Sequence, residues 1–229
     1  MITVVIPAKN EQLKIENLLI TLKKCDNDLE IIVVDGGSKD ATVAIATKYA
    51  KVIETRPGRG HQLHLGASFA KGEILLFVHA DATITKESLE AILALFTSEN
   101  NKRVIGGCLR LYFDDYDTWY MRILALTSNW RAKYLKLMFG DQGIFVKKDA
   151  YNHLGGFKDI ALMEDWEFSR RLSKYGEIRM ADGVIGTSGR RYKQGGFVKT
   201  LLSMHYIKIL YVLGYPPDQL AEKYREIRS

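Results

Sequence analysis

The sequence predicts an α/β protein: a mainly parallel central sheet flanked by helices, with a C-terminal helical appendage. Short apolar runs at residues 2–6, 30–34 and 73–78 are each followed by a polar loop and then a helix-periodic stretch, the rhythm of right-handed βαβ crossovers. The 229 residues supply one sizeable core and are too few for two comfortable domains. Hydrophobic content of 47% with 26% charged residues is that of an ordinary folded protein and argues against disorder.

Each element follows from local signals. Residues 2–6 (ITVVI) read as the first strand and 11–24 as the first helix, with Leu13, Leu18, Leu19 and Leu22 near helical spacing and Asn10 placed as N-cap. Residues 30–34 (EIIVV) read as the second strand, Ser38 and Asp40 open a helix over 41–49, and 51–54 form a short strand. A Pro-Gly-Arg-Gly turn at 57–60 precedes a helix over 61–70, and 73–78 (EILLFV) form the next strand. After a helix over 86–96 and a polar loop over 98–102, a strand over 104–113 breaks the βαβ rhythm. Residues 117–139 are rich in aromatic and basic side chains, and Gly140-Asp141-Gln142-Gly143 closes that stretch before a strand over 144–147. The last third holds a helix beginning near Glu164, a strand around 178–181, and C-terminal helices split by Gly214-Tyr215-Pro216-Pro217.

The net charge of +6 suits an anionic partner, and from Arg190 onward eight Lys or Arg face three acids. With no aromatic-basic module of the RNA-binding kind, a nucleic acid is not the expected partner. The best apolar run, 197–213, is interrupted by Lys199, His205 and Lys208, so it does not read as a transmembrane helix. It is expected to pack against the domain or a partner subunit, making a homo-oligomer one possibility; a lipid-linked acceptor would instead lay it on a membrane. Cys25 and Cys108 have no metal or redox spacing, and the chain opens directly into a strand. The expected setting is therefore reducing and cytoplasmic, with a peripheral position at the inner face of a membrane left open.

The chemistry concentrates at strand ends, where open α/β sheets bind ligands. Pro7-Ala8-Lys9-Asn10-Glu11 and Asp35-Gly36-Gly37-Ser38-Lys39-Asp40 follow the first two strands and should line one crevice. Neither carries a dinucleotide glycine fingerprint; a carboxylate beside two glycines suits a ribose or base instead. His79-Ala80-Asp81 follows the strand over 73–78, and Asp81 offers hard oxygen to a divalent cation that could bridge two phosphates.

In this order, together with Gly58-Arg59-Gly60, Gly140-Asp141-Gln142-Gly143 and Met163-Glu164-Asp165-Trp166-Glu167, the motifs resemble those of the family-2 glycosyltransferases, inverting enzymes of the GT-A fold. Arg190-Arg191-Tyr192 and Tyr215-Pro216-Pro217 are similar to a small bacterial subgroup found in radical-enzyme or arsenosugar gene contexts. The resemblance implies a nucleotide-diphospho-sugar donor, UDP-sugar favoured, an unidentified small or lipid-linked acceptor, and Mg²⁺ or Mn²⁺. It implies a catalytic domain over residues 1–195, with a nucleotide-binding half (1–100) and an acceptor half (101–195), and C-terminal helices over 196–229.

By the same resemblance, Pro7, Ala8, Glu11 and Asp35 border the nucleoside and Arg59 reaches the base or diphosphate. Asp81 is the retained acid of the family's Asp-x-Asp, whose first Asp is His79 here, a residue placed at the ribose, at the metal, or simply buried at a strand end. Asp165 is the general base that an inverting transfer requires, supported by Glu164. Asp141 and Gln142 shape the acceptor pocket, Trp166 stacks on a sugar, and Arg190 and Arg191 close over the leaving diphosphate. Each has a plainer alternative: Asp35 as a turn or cap residue, Glu164 and Asp165 as helix N-terminal acids, Asp141 and Gln142 as a turn, Trp166 as core, and the arginines as solvated surface. The rival functions are a sugar nucleotidyltransferase, which would want a glycine-rich loop after the first strand, and a noncatalytic nucleotide- or lipid-binding protein at a membrane surface.

Overall fold

A computed structural model describes residues 1–25 and 29–228. The chain runs β1 (Ile2–Ala8), α1 (Ile15–Cys25), β2 (Glu30–Asp35), α2 (Thr42–Ala46), β3 (Lys51–Glu54), α3 (Arg59–Phe69) and β4 (Ile74–Phe77). It continues through β5 (Thr83–Ile84), α4 (Lys86–Thr97), β6 (Val104–Phe113), α5 (Trp119–Leu135), β7 (Ile144–Lys147), α6 (Lys148–His153), α7 (Glu164–Tyr175) and β8 (Glu177–Thr187). Three helices close it: α8 (Arg190–Gly195), α9 (Phe197–Val212) and α10 (Pro217–Arg228).

The sheet has eight strands in the order β3-β2-β1-β4-β7-β6-β8-β5. The βαβ half, β3-β2-β1-β4, is parallel throughout, as the alternating sequence pattern predicts. From β7 onward it is mixed: β7 runs antiparallel to both β4 and β6, while β6 pairs parallel with β8 through two register shifts. One core lies on each face of the sheet. Leu18, Leu19 and Leu22 of α1 pack with Ile6, Val33 and Leu76 on one side; Leu63 of α3 and Phe168 and Leu172 of α7 pack with Val5, Val34 and Phe77 on the other.

Local chemistry moves several boundaries. Asn10 does not cap α1, which begins at Ile15 after a turn onto the Glu11 carbonyl. Asn10 instead adopts a left-handed φ of 56°, accepts from Lys39 N at 2.8 Å and donates its own N–H to Ser38 Oγ at 2.8 Å. With Glu11 N donating to Thr42 Oγ1 at 2.8 Å, these bonds tie the loops after β1 and β2 into one crevice wall. The expected turn at 57–60 is half helix: Gly58, at φ 146°, leads directly into α3, and its carbonyl accepts from Gln62 N, so Arg59 is the first helical residue.

Of the two packings expected for residues 197–213, against the domain or against a partner subunit, the first is met only in part within the described chain. Only Thr200, Ile207 and Leu210 of α9 are buried, and an apolar face of the helix stays open. Among the described residues no helix is long and apolar enough to cross a membrane.

Candidate active site

A cleft of about 1540 Å³ opens above the carboxyl ends of the sheet, walled by α3, α5, α7 and α9. Its floor is a cluster of charges. Arg59, first residue of α3, pairs through Nε with Glu164 Oε1 and through Nη2 with Asp165 Oδ2 at 3.5 Å. Met163, left-handed at φ 69°, turns the chain into α7 so that both carboxylates occupy its first turn, where free backbone amides favour negative charge. Asp165 Oδ2 also accepts from Gly140 N at 2.9 Å. Gly140 is pressed between two functional groups, since a Cβ there would stand 2.7 Å from His79 Nε2 and 3.5 Å from Asp165 Oδ2.

Burial sets the charge states. Glu164, with 2% of its side chain exposed, has its pKa raised by burial, an effect that Arg59 opposes. Burial and the nearby Arg59 guanidinium drive His79 down to about 3, so the imidazole is neutral at physiological pH. For Arg59, desolvation works against the charge but Glu164 and Asp165 outweigh it, holding the guanidinium above its ordinary range. Asp141 lines the cleft, its pKa raised by burial, and its Oδ1 is buried without a hydrogen-bond partner.

A second cluster lies nearer the β1 end. Arg190 Nη2 sits 3.8 Å from Glu11 Oε1 and 3.9 Å from Asp81 Oδ2. Burial, and then the charge of Asp81, raise the pKa of Glu11, whose Oε2 is buried without a partner. An orphaned carboxylate oxygen close to a second carboxylate fits a hard divalent cation. Among the described residues no group of three or more His, Cys, Asp or Glu gathers to hold a metal. The donor set therefore suits an ion completed by phosphate oxygens, not one held in an all-protein cage.

The remaining candidates divide. Pro7, Ala8 and Asp35 lie at the ends of β1 and β2 and do not line the deep cleft. The Asp35 carboxylate is occupied by its own turn: Oδ2 accepts from Gly37 N at 2.9 Å and Ser38 N at 2.8 Å, and Oδ1 accepts from Ser38 Oγ. Trp166 lines the cleft against Phe139 and Tyr211, at centroid distances of 5.7 and 5.8 Å, with its Nε1 buried and unpartnered. Arg190 and Arg191 are both exposed at the cleft rim, and Arg191 lies over the Tyr224 ring at 5.8 Å.

Gln142 is a correction. It is fully buried behind the loop, its Oε1 accepting from Arg131 Nη2 at 3.0 Å and from Phe139 N at 3.3 Å, so it braces the loop against α5 and does not face an acceptor. Sequence reasoning passed over two cations of the cleft. Arg131 Cζ and Lys208 Nζ lie over the Phe139 ring at 3.9 and 4.7 Å, and burial followed by the charge of Arg131 lowers Lys208 to about 8. Their only sequence signals are one basic residue among many in the aromatic and basic stretch 117–139 and one lysine in the largely apolar run 197–213.

The chain matches the family description "Glycosyl transferase family 2" over residues 3–157. It is 35% identical over 115 residues to 4,4'-diaponeurosporenoate glycosyltransferase of Staphylococcus haemolyticus, covering 46% of this chain and 31% of that protein. It is 27% identical over 208 residues to probable glycosyltransferase YdaM of Bacillus subtilis, covering 80% of this chain and 49% of that one. The chain thus spans about a third to a half of the length of these curated relatives. Among solved structures, it shares its fold with mannosyltransferase PcManGT from Pyrobaculum calidifontis in complex with GDP-Man and Mn²⁺, at TM-score 0.68 and 20% identity over 98% of this chain and 68% of that one. The match over residues 3–157, with strand-end loops, cleft and paired acids placed as described, makes this chain a member of glycosyl transferase family 2.

Proposed function

We propose that the protein is an inverting glycosyltransferase that moves a sugar from a nucleotide-diphospho-sugar to an acceptor hydroxyl. The observation that carries this reading is the Asp165 carboxylate, held at the cleft floor by the Gly140 N–H and by Arg59. It is aimed by a helix start and a rigid loop, as a base awaiting a hydroxyl must be. Asp165 takes the acceptor proton as the acceptor oxygen bonds to the anomeric carbon on the face opposite the breaking bond to the diphosphate. Glu164 is a positioning residue that fixes Arg59 and, through it, Asp165.

The donor's nucleoside lies over the crevice of Pro7, Ala8 and the Asp35 turn, in the half formed by residues 1–100. The acceptor enters over residues 101–195, where the unpartnered Asp141 Oδ1 and Trp166 Nε1 offer hydrogen-bonding groups to a sugar. The helices α9 and α10 cover that half. Arg190 and Arg191 balance the charge of the departing diphosphate. Asp81 and Glu11 would hold a divalent cation, which when bound neutralises diphosphate charge; the Mn²⁺ named with the Pyrobaculum structure supports this. Membership of the small bacterial subgroup rests on Arg190-Arg191-Tyr192 and Tyr215-Pro216-Pro217 alone.

Calorimetric titration with UDP and GDP, with and without Mn²⁺, tests the reading. One nucleotide should bind tightly in a metal-dependent way, and Asp81→Ala should remove the metal-dependent gain. Binding of neither nucleotide would overturn the donor assignment, and unchanged affinity in Asp81→Ala with Mn²⁺ would overturn the role of that residue.

A further inference from the structure

The large apolar side chains left in solvent gather on two helices. Along α5, Trp119, Ile123, Leu126, Trp130 and Tyr134 recur every three or four residues with 50–73% of their surface exposed, a continuous stripe on one helix face. Along α9, Val198, Leu202, Tyr206 and Ile209 repeat the spacing at 48–65% exposure. The two helices touch through Tyr120 and Phe197, 4.5 Å between ring centroids, and both border the cleft mouth, where Trp130 and Ile209 line it. Isolated exposed apolar residues are ordinary, but two adjoining stripes around a cleft mark an interaction surface.

The helices that bear and flank these stripes carry charge of one sign, with Asp117, just ahead of α5, pairing only Arg122 among the described residues. α5 carries three Lys or Arg, α8 three and α9 two, and none of the three helices contains an Asp or Glu. A two-fold dimer through this face would set these cations against their own copies, because an isologous contact opposes a patch to itself. Apolar stripes with Trp and Tyr among them, flanked by the exposed Lys133, Lys193 and Lys199, match the interfacial region of a bilayer bearing anionic headgroups.

We propose that α5 and α9 form a docking face for an anionic membrane surface, with the mouth of the cleft turned towards the lipid. The aromatic and aliphatic stripes enter the headgroup boundary, while Lys133 of α5, Lys193 of α8 and Lys199 of α9 lie against lipid phosphates. Docking stands apart from the transferase reading. Only its consequence, that the acceptor is an amphiphile drawn from the bilayer, rests on that reading.

Sedimentation of the 229-residue chain with vesicles tests the proposal, comparing phosphatidylcholine alone with a mixture one-third phosphatidylglycerol. The chain should partition at least ~10-fold more strongly onto the anionic vesicles, an advantage that shrinks as salt is raised. The double variant Trp119→Glu/Leu202→Glu, at positions 73% and 64% exposed, should abolish sedimentation while nucleotide titration and thermal midpoint stay as in the parent. Phe69→Glu, exposed at the end of α3, should sediment like the parent. Should the double variant melt early, the exposed pair Lys133→Gln/Lys199→Gln carries the test and should lower the anionic partition ~10-fold. Equal partition onto both vesicle types, or undiminished sedimentation of the variants, would overturn the proposal. So would light scattering that finds a dimer in the parent and a monomer in the double variant, since a second copy would then cover the face. Sedimentation needs no donor and nucleotide titration needs no lipid, so failure of one reading is distinct from failure of the other.

Discussion

The backbone N–H of Gly140 donates to Asp165 Oδ2 at 2.9 Å, linking the loop before β7 to the first turn of α7. This contact orients the carboxylate without neutralising it. Asp165→Asn keeps a carbonyl oxygen for the same N–H but removes the base. Turnover should fall by about 10²–10⁴ while nucleotide affinity stays within a few-fold, as read by product formation and calorimetry on one preparation. Retained turnover would move the base elsewhere.

Arg59→Ala leaves the Glu164 carboxyl buried without its cation. A fully buried pair broken on one side costs about 3–5 kcal/mol, and because Arg59 keeps 38% of its side chain in solvent the loss should be nearer ~2–3 kcal/mol. Urea denaturation should show the midpoint falling with an unchanged slope. Arg59→Gln/Glu164→Gln, which removes both charges, should lie closer to the parent than Arg59→Ala does.

Gly66 in α3 lies flat on the sheet, where a Cβ would stand 2.4 Å from Val5 Cγ1 and 2.9 Å from Val34 Cγ2. Alanine improves helix propensity by about 1 kcal/mol, but forcing a methyl between two fully buried valines costs about 1–3 kcal/mol. Both valines belong to central strands with little room to retreat, so the clash wins and Gly66→Ala should lower the thermal midpoint. A raised midpoint would show that α3 lifts freely from the sheet.

Lys208 titrates near 8 in the folded protein, below its ordinary 10.5, so between those values the unfolded chain binds the additional proton. Stability then contains a component that rises with pH from about 8 to 10.5 and is absent below. In Lys208→Met that rise should disappear, leaving a flatter curve of unfolding free energy over pH 8 to 10 when parent and variant are compared in denaturant without nucleotide. Parallel curves for the two proteins would refute the depressed value.

Strands in both halves of the sheet were legible because their signals are local. The strands 51–54, 104–113 and 144–147 are found at their expected bounds, since apolar runs between polar turns need no distant partner to declare themselves. The two-residue strand β5 and the long reach of β8 were not, because both exist through pairing: β5 only against β8, and β8 along the whole of β6. The same split runs through the site. Glu164 and Asp165 stand out as acids opening a helix. Gln142, in an exposed-looking turn between glycines, is drawn inward by Arg131 from a different element, and nothing next to it in sequence announces that. The α9 wall of the cleft, with Lys208, likewise exists only once the chain returns across the sheet.

Strand β7 is hydrogen-bonded to β4 on one side and to β6 on the other, so the sheet passes without a break beneath both the proposed nucleotide crevice and the proposed acceptor side. Two lobes fused through a shared backbone ladder cannot swing about a hinge as separate domains do. Opening and closing during turnover would then fall to the segments around the cleft, among them the one from Gly189 through α8 to Gly196, whose φ of 76° marks a sharp bend before α9. If release limits turnover, stiffening such a segment would slow product escape while leaving the bond-making step untouched.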